Sequence, residues 1–221
     1  MFKTDEYISE LIKLLEQAYH ERLLYVGLQG SYLRDEATEN SDLDIMVVVD
    51  DLSIKDLDEY RNAIGSLEGY ERSCGFICGK AELQKWNSLE ICHVLHTTKD
   101  YYGTLSELVP KYSEEDVRSF VKMSLDNLYH EICHRYIHSS REKNIAKIPY
   151  TYRSVFFILQ NVHYLDSGIF INTKKGLSAA LSSQDKLVLE TAISLSAGAA
   201  FDFDEVFALL FSWCKETMAR I

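Results

Sequence analysis

No apolar stretch of this chain approaches the roughly 20 residues that a helix needs to cross a bilayer, so a membrane-spanning protein is not expected. The amino terminus, MFKTDEYISELIKLL, is amphipathic and acidic, with Leu11, Ile12, Leu14 and Leu15 on or near one face. It lacks the basic and then apolar plan of a secretory signal. Proline is nearly absent, at Pro110 and Pro149 only. The five cysteines, Cys74, Cys78, Cys92, Cys133 and Cys214, are an odd and scattered set without CxxC spacing. They suit reduced thiols in a cytoplasm better than a disulfide framework. Cys74, Cys78, Cys92 and His93 match no common zinc module either, and buried thiols in strands account for them.

Positive charge is also in short supply. Lysine and arginine number 23 against 34 acidic residues, a formal net charge of -11. Non-specific nucleic-acid binding depends on neutralising phosphates with Lys and Arg, so no general affinity for DNA or RNA is expected. The only basic clusters are REKNIAK, Arg141 to Lys147, and Lys174-Lys175. An acidic surface would instead attract a cationic partner. With 221 residues, 47% of them hydrophobic, the chain can build one large or two small domains.

The stretch from Gly30 to Asp44, GSYLRDEATENSDLD, carries the chemistry. The run before it, Arg22 to Leu28, and the run after it, Leu43 to Val49, both have strand composition. Side chains alternate along a strand, so Asp42, Asp44, Met46 and Val48 share one face of the second run. Two carboxylates side by side at one end of a core strand repel each other, and burial disfavours their ionised forms. A divalent magnesium ion resolves that conflict. A Gly-Ser turn, for its part, lets backbone N–H groups approach phosphate oxygens, and the Ser31 hydroxyl adds a donor.

These residues resemble the DNA polymerase beta type nucleotidyltransferase superfamily, whose signature is a Gly-Ser turn, a spacer of about ten residues and an Asp-x-Asp on the next strand. The match covers Leu23 to Asp50. The resemblance implies that Gly30, Ser31, Arg34 and Ser41 bind the nucleotide and that Asp42 and Asp44 are catalytic and hold magnesium. Magnesium would bridge the triphosphate and neutralise charge as pyrophosphate leaves. A third carboxylate normally completes such a site. The run Tyr70 to Cys78 reads as the strand that carries it in many relatives, but its centre is Ser73, Cys74 and Gly75. The next segment, Leu89 to His96, reads as extended and contains Glu90 between apolar neighbours. It leads into Tyr101-Tyr102-Gly103, which resembles a family strand end. Glu90 is the candidate for the third acid, and Glu82, in a short helix or loop, is the alternative.

Between the acidic strand and Tyr70, Ser53 to Leu67 reads as a helix with Ser53 as its cap and Asp56 three residues on. Past Pro110 the short strand-like runs give way to helical periodicity, placing a domain boundary between residues 1–110 and 111–221. Ser113 to His138 opens with an acidic turn and carries Val117, Phe120, Val121, Leu125, Leu128 and Ile132 at helical spacing. A basic loop follows, then a helix from Tyr150 to Asp166 with Pro149 at its first turn and Gly168 as its stop. Thr173 to Leu181, Ser183 to Ser196 and Asp202 to Met218 give three more. Ser182 with Asp185, and Asp202 with Glu205, are capping signals. The expected fold is α+β: an amino-terminal mixed sheet flanked by helices, then an α-helical bundle. The segment YTYRSVFFILQNVHYLDSGIFINTKKGL is similar to the helical domain of aminoglycoside-type adenylyltransferases. That likeness implies triphosphate contacts from Lys174 and Arg153.

His130 to His134 reads HEICH and fits the zinc hydrolase pattern HExxH, with His138 continuing the spacing. No further ligand follows, and the helix is needed for the bundle. The resemblance as a whole implies a magnesium-dependent transfer of AMP from ATP to a hydroxyl of a small molecule, an aminoglycoside-like antibiotic among the options. An antitoxin-like regulator that binds a protein partner, or a degenerate nucleotide-binding relative, is the alternative.

Overall fold

The apolar runs on either side of the Gly-Ser turn form two central strands, β1 (Leu23–Leu28) and β2 (Leu43–Val49), paired antiparallel. On the far side of β2 lies β3 (Ser73–Gly79), parallel to it, and on the far side of β1 lies β4 (Lys99–Tyr102), antiparallel. The result is a mixed four-stranded sheet in the order β3-β2-β1-β4. The structure, a computed structural model, describes residues 2–221. They divide into two units, the first ending at Tyr112 and the second spanning Ser113–Ile221.

A parallel pair needs a crossover, and here helix α3 (Ile54–Gly65) supplies it. Its helix start is set by a reciprocal capping box: Asp56 N–H donates to the Ser53 hydroxyl at 3.3 Å, and Ser53 N–H to the Asp56 carboxylate at 2.8 Å. Helix α1 (Thr4–Tyr19) lays Ile8, Leu11 and Leu15 against one face of the sheet, where Leu43, Ile45, Val47 and Val49 meet them. The alternate residues Met46 and Val48 face the other side, packed with Leu83 and Cys78. Strand β2 is therefore covered on both faces, which explains its unbroken apolar run.

Three short helices complete the unit: α2 (Gly30–Leu33), α4 (Lys80–Leu83) and α5 (Ser88–His96). The last is a correction, since Leu89 to His96 reads as extended in sequence. Asn87 caps it by accepting from Leu89 N–H at 3.1 Å. The helix buries Ile91 and Cys92 and packs Val94 and Leu95 against the Met46 side of the sheet. The strand expected from Tyr70 begins only at Ser73, because Tyr70–Arg72 forms a 3-10 turn.

The second unit is entirely helical: α6 (Glu114–His138), α7 (Arg141–Thr151), α8 (Arg153–Ser167), α9 (Lys174–Ala180), α10 (Ser183–Ser196) and α11 (Phe203–Arg220). One core joins Leu125 and Ile132 of α6, Val155 and Leu159 of α8, Leu189 of α10 and Trp213 of α11. The expected basic loop Arg141 to Lys147 is instead the first part of α7, and Pro149 lies inside that helix rather than at the start of the next. Ser140 caps α7, buried Asn144 donates to the Arg135 carbonyl at 3.0 Å, and Arg141 makes a bidentate pair with Asp204 at 2.8 Å. The Ser182 side chain makes no cap. Asp185 is drawn off by Trp213 Nε1 at 2.7 Å and by Arg220, which ties α10 to α11. Asp202 does cap α11, accepting from Glu205 N–H at 3.0 Å. No helix among the described residues is long and apolar enough to cross a membrane.

Candidate active site

The site is built where β1 ends and β2 begins. Gln29 N–H donates to the Asp44 carbonyl at 2.8 Å, which brings the two strand ends together. The chain then turns at Gly30 with φ +71, a conformation that favours glycine. A Cβ added at Gly30 would lie 1.8 Å from Asp44 Oδ2. Gly30 is thus required twice, for the turn and for the close approach of the carboxylate. The turn Gly30–Leu33 follows, closed by Glu36 N–H on the Ser31 carbonyl at 3.0 Å, and Ser31 itself is partly exposed. N–H groups in a first helical turn lack intrahelical partners and suit an anion.

Asp44 is half-buried and Asp42 exposed just before the strand. Burial and the neighbouring Asp42 raise the Asp44 carboxyl above its ordinary range, opposed by the Cys74 thiol and the Arg34 cation. Arg34 pairs with Glu36 at 3.3 Å, both side chains largely covered. It also acts on His93 of α5, whose imidazole is lowered to about 4 by burial first, then by Arg34 and His96. The Arg34 charge thus acts on both Asp44 and His93. Ser41 holds the turn that delivers Asp42: its hydroxyl accepts from Thr38 N–H at 2.8 Å.

On β3 the in-register partner of Asp44 is Cys74, and that of Met46 is Phe76. Trp86 stacks on Phe76 with ring centroids 5.8 Å apart and donates its Nε1 to Glu90 at 2.6 Å. Glu90 thus reaches this side of the sheet from the first turn of a helix, not from a strand. His93 follows one helical turn later, the spacing that shares a face. Glu82 folds back on Gly79, where an added Cβ would meet its Oε2 at 2.2 Å. Gly79 pairs with Val49 at the other end of the strands, about 16 Å along from Cys74 at the usual rise per residue. Of the two candidate acids, Glu90 is the one on the Asp44 side.

Residues 8–93 match a family model described as the nucleotidyltransferase domain. The first unit is a nucleotidyltransferase domain. The matched span contains the Gly-Ser turn, both aspartates, Cys74, Glu90 and His93. No curated protein matches the chain. Among solved structures, the spectinomycin adenyltransferase AAD(9) from Enterococcus faecialis, determined with ATP and spectinomycin, superposes with a TM-score of 0.59 at 16% identity. The alignment covers 98% of this chain and 100% of that one, and it shows a shared fold. A toxin-antitoxin structure with AMP-PNP gives a TM-score of 0.33 at 23% identity, over 61% of this chain and 94% of that one. That superposition is too loose to bear on fold or function.

Within the nucleotidyltransferase domain, the donors near the Gly-Ser turn fit a magnesium ion. Asp42 and Asp44 offer hard oxygen ligands one residue apart at the start of β2. Among the described residues, no group of three or more His, Cys, Asp and Glu side chains is assembled to hold a metal. The remaining ligands would be water and phosphate oxygens, as magnesium prefers.

The other residues singled out in sequence belong to the helical unit. Lys174 opens α9 with its ammonium 5.7 Å from the Phe156 ring centroid, and Arg153 opens α8 with its guanidinium 5.2 Å from that of Tyr150. His130, His134 and His138 form an exposed ladder on α6, with ring centroids 5.9 and 4.7 Å apart. Glu131 is engaged by the Thr151 hydroxyl at 3.1 Å instead of serving as a base beside the ladder. The HEICH segment is thus part of the bundle.

Proposed function

We propose that this chain transfers AMP from ATP to a hydroxyl of a small cationic acceptor, such as an aminosugar antibiotic, and releases pyrophosphate. The observation that carries this reading is the fit of Gly30 against Asp44, which sets a phosphate-binding turn directly beside a carboxylate pair. In the proposed reaction the acceptor oxygen bonds to the α-phosphorus while the bond to the bridging oxygen breaks, and pyrophosphate leaves with that electron pair. Gly30, Ser31 and the backbone of their turn hold the phosphates. Arg34 and Ser41 keep the loop around the nucleotide in shape. Magnesium, bound by Asp42 and Asp44, would supply the positive charge that pyrophosphate departure requires. Glu90 takes the hydroxyl proton. Lys174 and Arg153 are proposed as further phosphate-binding residues.

The net charge of -11 supports a cationic acceptor, and five free thiols support a reducing compartment, the cytoplasm. The acid-free stretch Ser73-Cys74-Gly75 on β3 favours a second reading, a protein that binds nucleotide without turnover and acts on a protein partner. The two part in one assay. The protein is incubated with magnesium, each labelled nucleoside triphosphate and a panel of aminosugars and proteins, and pyrophosphate is followed. Acceptor-dependent release is expected. Binding of ATP with no release under any acceptor would favour the second reading.

A further inference from the structure

The β3 residues beside the acidic pair each have a different fate. Ser73 is committed, its hydroxyl sharing a hydrogen bond with the Tyr7 phenol of α1. Gly75 cannot carry a side chain: its φ is +113, and a Cβ there would sit 2.1 Å from the Ile45 carbonyl oxygen and 2.6 Å from the Ile45 nitrogen. The strands approach so closely at this point that a carboxylate at position 75 has no room. That leaves Cys74, exposed and in parallel register with Asp44. Neighbouring strands lie about 4.8 Å apart, and in-register residues of a parallel pair project to the same face. The Cys74 thiol and the Asp44 carboxylate are thus side by side, with Gly30 bounding the carboxylate on its other flank.

We propose that Cys74 is a positioning residue of the nucleotidyl-transfer site, its thiol donating to the Asp44 carboxylate and holding it in the orientation that receives the metal-bound triphosphate. The proposal rests on the reading of Asp44 as a metal ligand. It accounts for the missing acid on β3: the position facing Asp44 carries a donor that orients the carboxylate, instead of a third anion that would add repulsion. Cys74 itself contributes no bond to the reacting atoms.

The test uses full-length protein and manganese as the probe, with and without ATP. Free manganese is read by electron paramagnetic resonance, beside turnover. Cys74→Ala is expected to weaken manganese binding in the presence of ATP by about 5- to 10-fold, the net worth of one hydrogen bond from a weak S–H donor. Cys74→Ser keeps a donor and is expected to return to within about 2-fold of wild type. Circular dichroism and thermal midpoints of both variants guard against misfolding. Cys74→Ala binding as wild type, or Cys74→Ser as weak as Cys74→Ala, overturns the proposal. Asp44→Asn separates the two levels of inference. If it loses manganese while Cys74→Ala does not, only the role of Cys74 fails. Should wild type and Asp44→Asn bind manganese equally weakly, the metal reading fails and takes the proposal with it.

Discussion

Gly30 and Asp44 occupy each other's space: a single methyl group on the glycine would sit 1.8 Å from the carboxylate oxygen Oδ2. Gly30→Ala therefore has two costs, a strained positive φ of about 1 kcal/mol and a displaced Asp44. The expected result is turnover reduced by about 100-fold, on the scale of a misplaced catalytic group, with a thermal midpoint lowered by only a few degrees. Steady-state kinetics beside differential scanning calorimetry check both. A variant that loses its fold altogether, or one that keeps full activity, contradicts this account of the turn.

Asp44 stands in the opposite relation to stability. Its folded-state carboxyl is raised by burial and by Asp42, so ionising it costs more in the folded protein than in the unfolded chain and lowers stability at neutral pH. In metal-free buffer at pH 7, Asp44→Asn is expected to match or exceed the wild-type thermal midpoint, by on the order of 2 °C. A drop of several degrees would contradict a destabilising effect of the ionised, half-buried Asp44.

His93 sets an acid limit. An ordinary histidine takes up a proton near pH 6.5 in the unfolded chain, whereas the folded imidazole is lowered to about 4 by burial, Arg34 and His96. The unfolded state therefore binds the extra proton between those values, and stability present above about pH 6.5 is lost as the pH falls toward 4. The loss from this group is at most about 3 kcal/mol. His96, lowered by its burial, adds in the same direction. Chemical denaturation at a series of pH values should show His93→Gln with a shallower decline than wild type over that window, and parallel curves would refute the assignment.

Asp56 titrates with the other sign. The Arg22 guanidinium at 2.7 Å, followed by the Ser53 side chain, holds its carboxyl well below the usual range. Its stabilisation is present above the ordinary aspartate range near 3.9 and is lost as the pH falls below it. Asp56→Ala removes the capping box at α3 and should cost about 1–2 kcal/mol at pH 7. The difference from wild type should shrink below pH 3, which urea unfolding at pH 7 and pH 2.5 would resolve.

Strand β2 was readable because its signals agree: an apolar run buried on both faces, introduced by two aspartates and a Gly-Ser turn. Helix α5 was not. LEICHVLH mixes apolar and β-branched residues that suit a strand as well, and what decides for helix is the need to cover Met46 and Val48, a tertiary fact. Helix α7 was hidden by its charges, since its stabilising contacts are made to other helices, Asn144 on Arg135 of α6 and Arg141 on Asp204 of α11. At the site, Gly30, Ser31, Asp42 and Asp44 share one short motif and could be read together. His93 could not, because only folding brings it beside Arg34. The acid missing from β3 was visible, but its cause, the Ile45 backbone pressed against Gly75, was not.

The central claim is that the Asp42 and Asp44 pair serves nucleotidyl transfer. The most direct measurement is acceptor-dependent pyrophosphate release from magnesium ATP by wild type, Asp42→Asn and Asp44→Asn at equal folded concentration. The account predicts release by wild type and a loss of at least about 100-fold in each variant, with ATP still bound. Release undiminished in both variants, or wild type and variants equally silent while binding ATP, would contradict it.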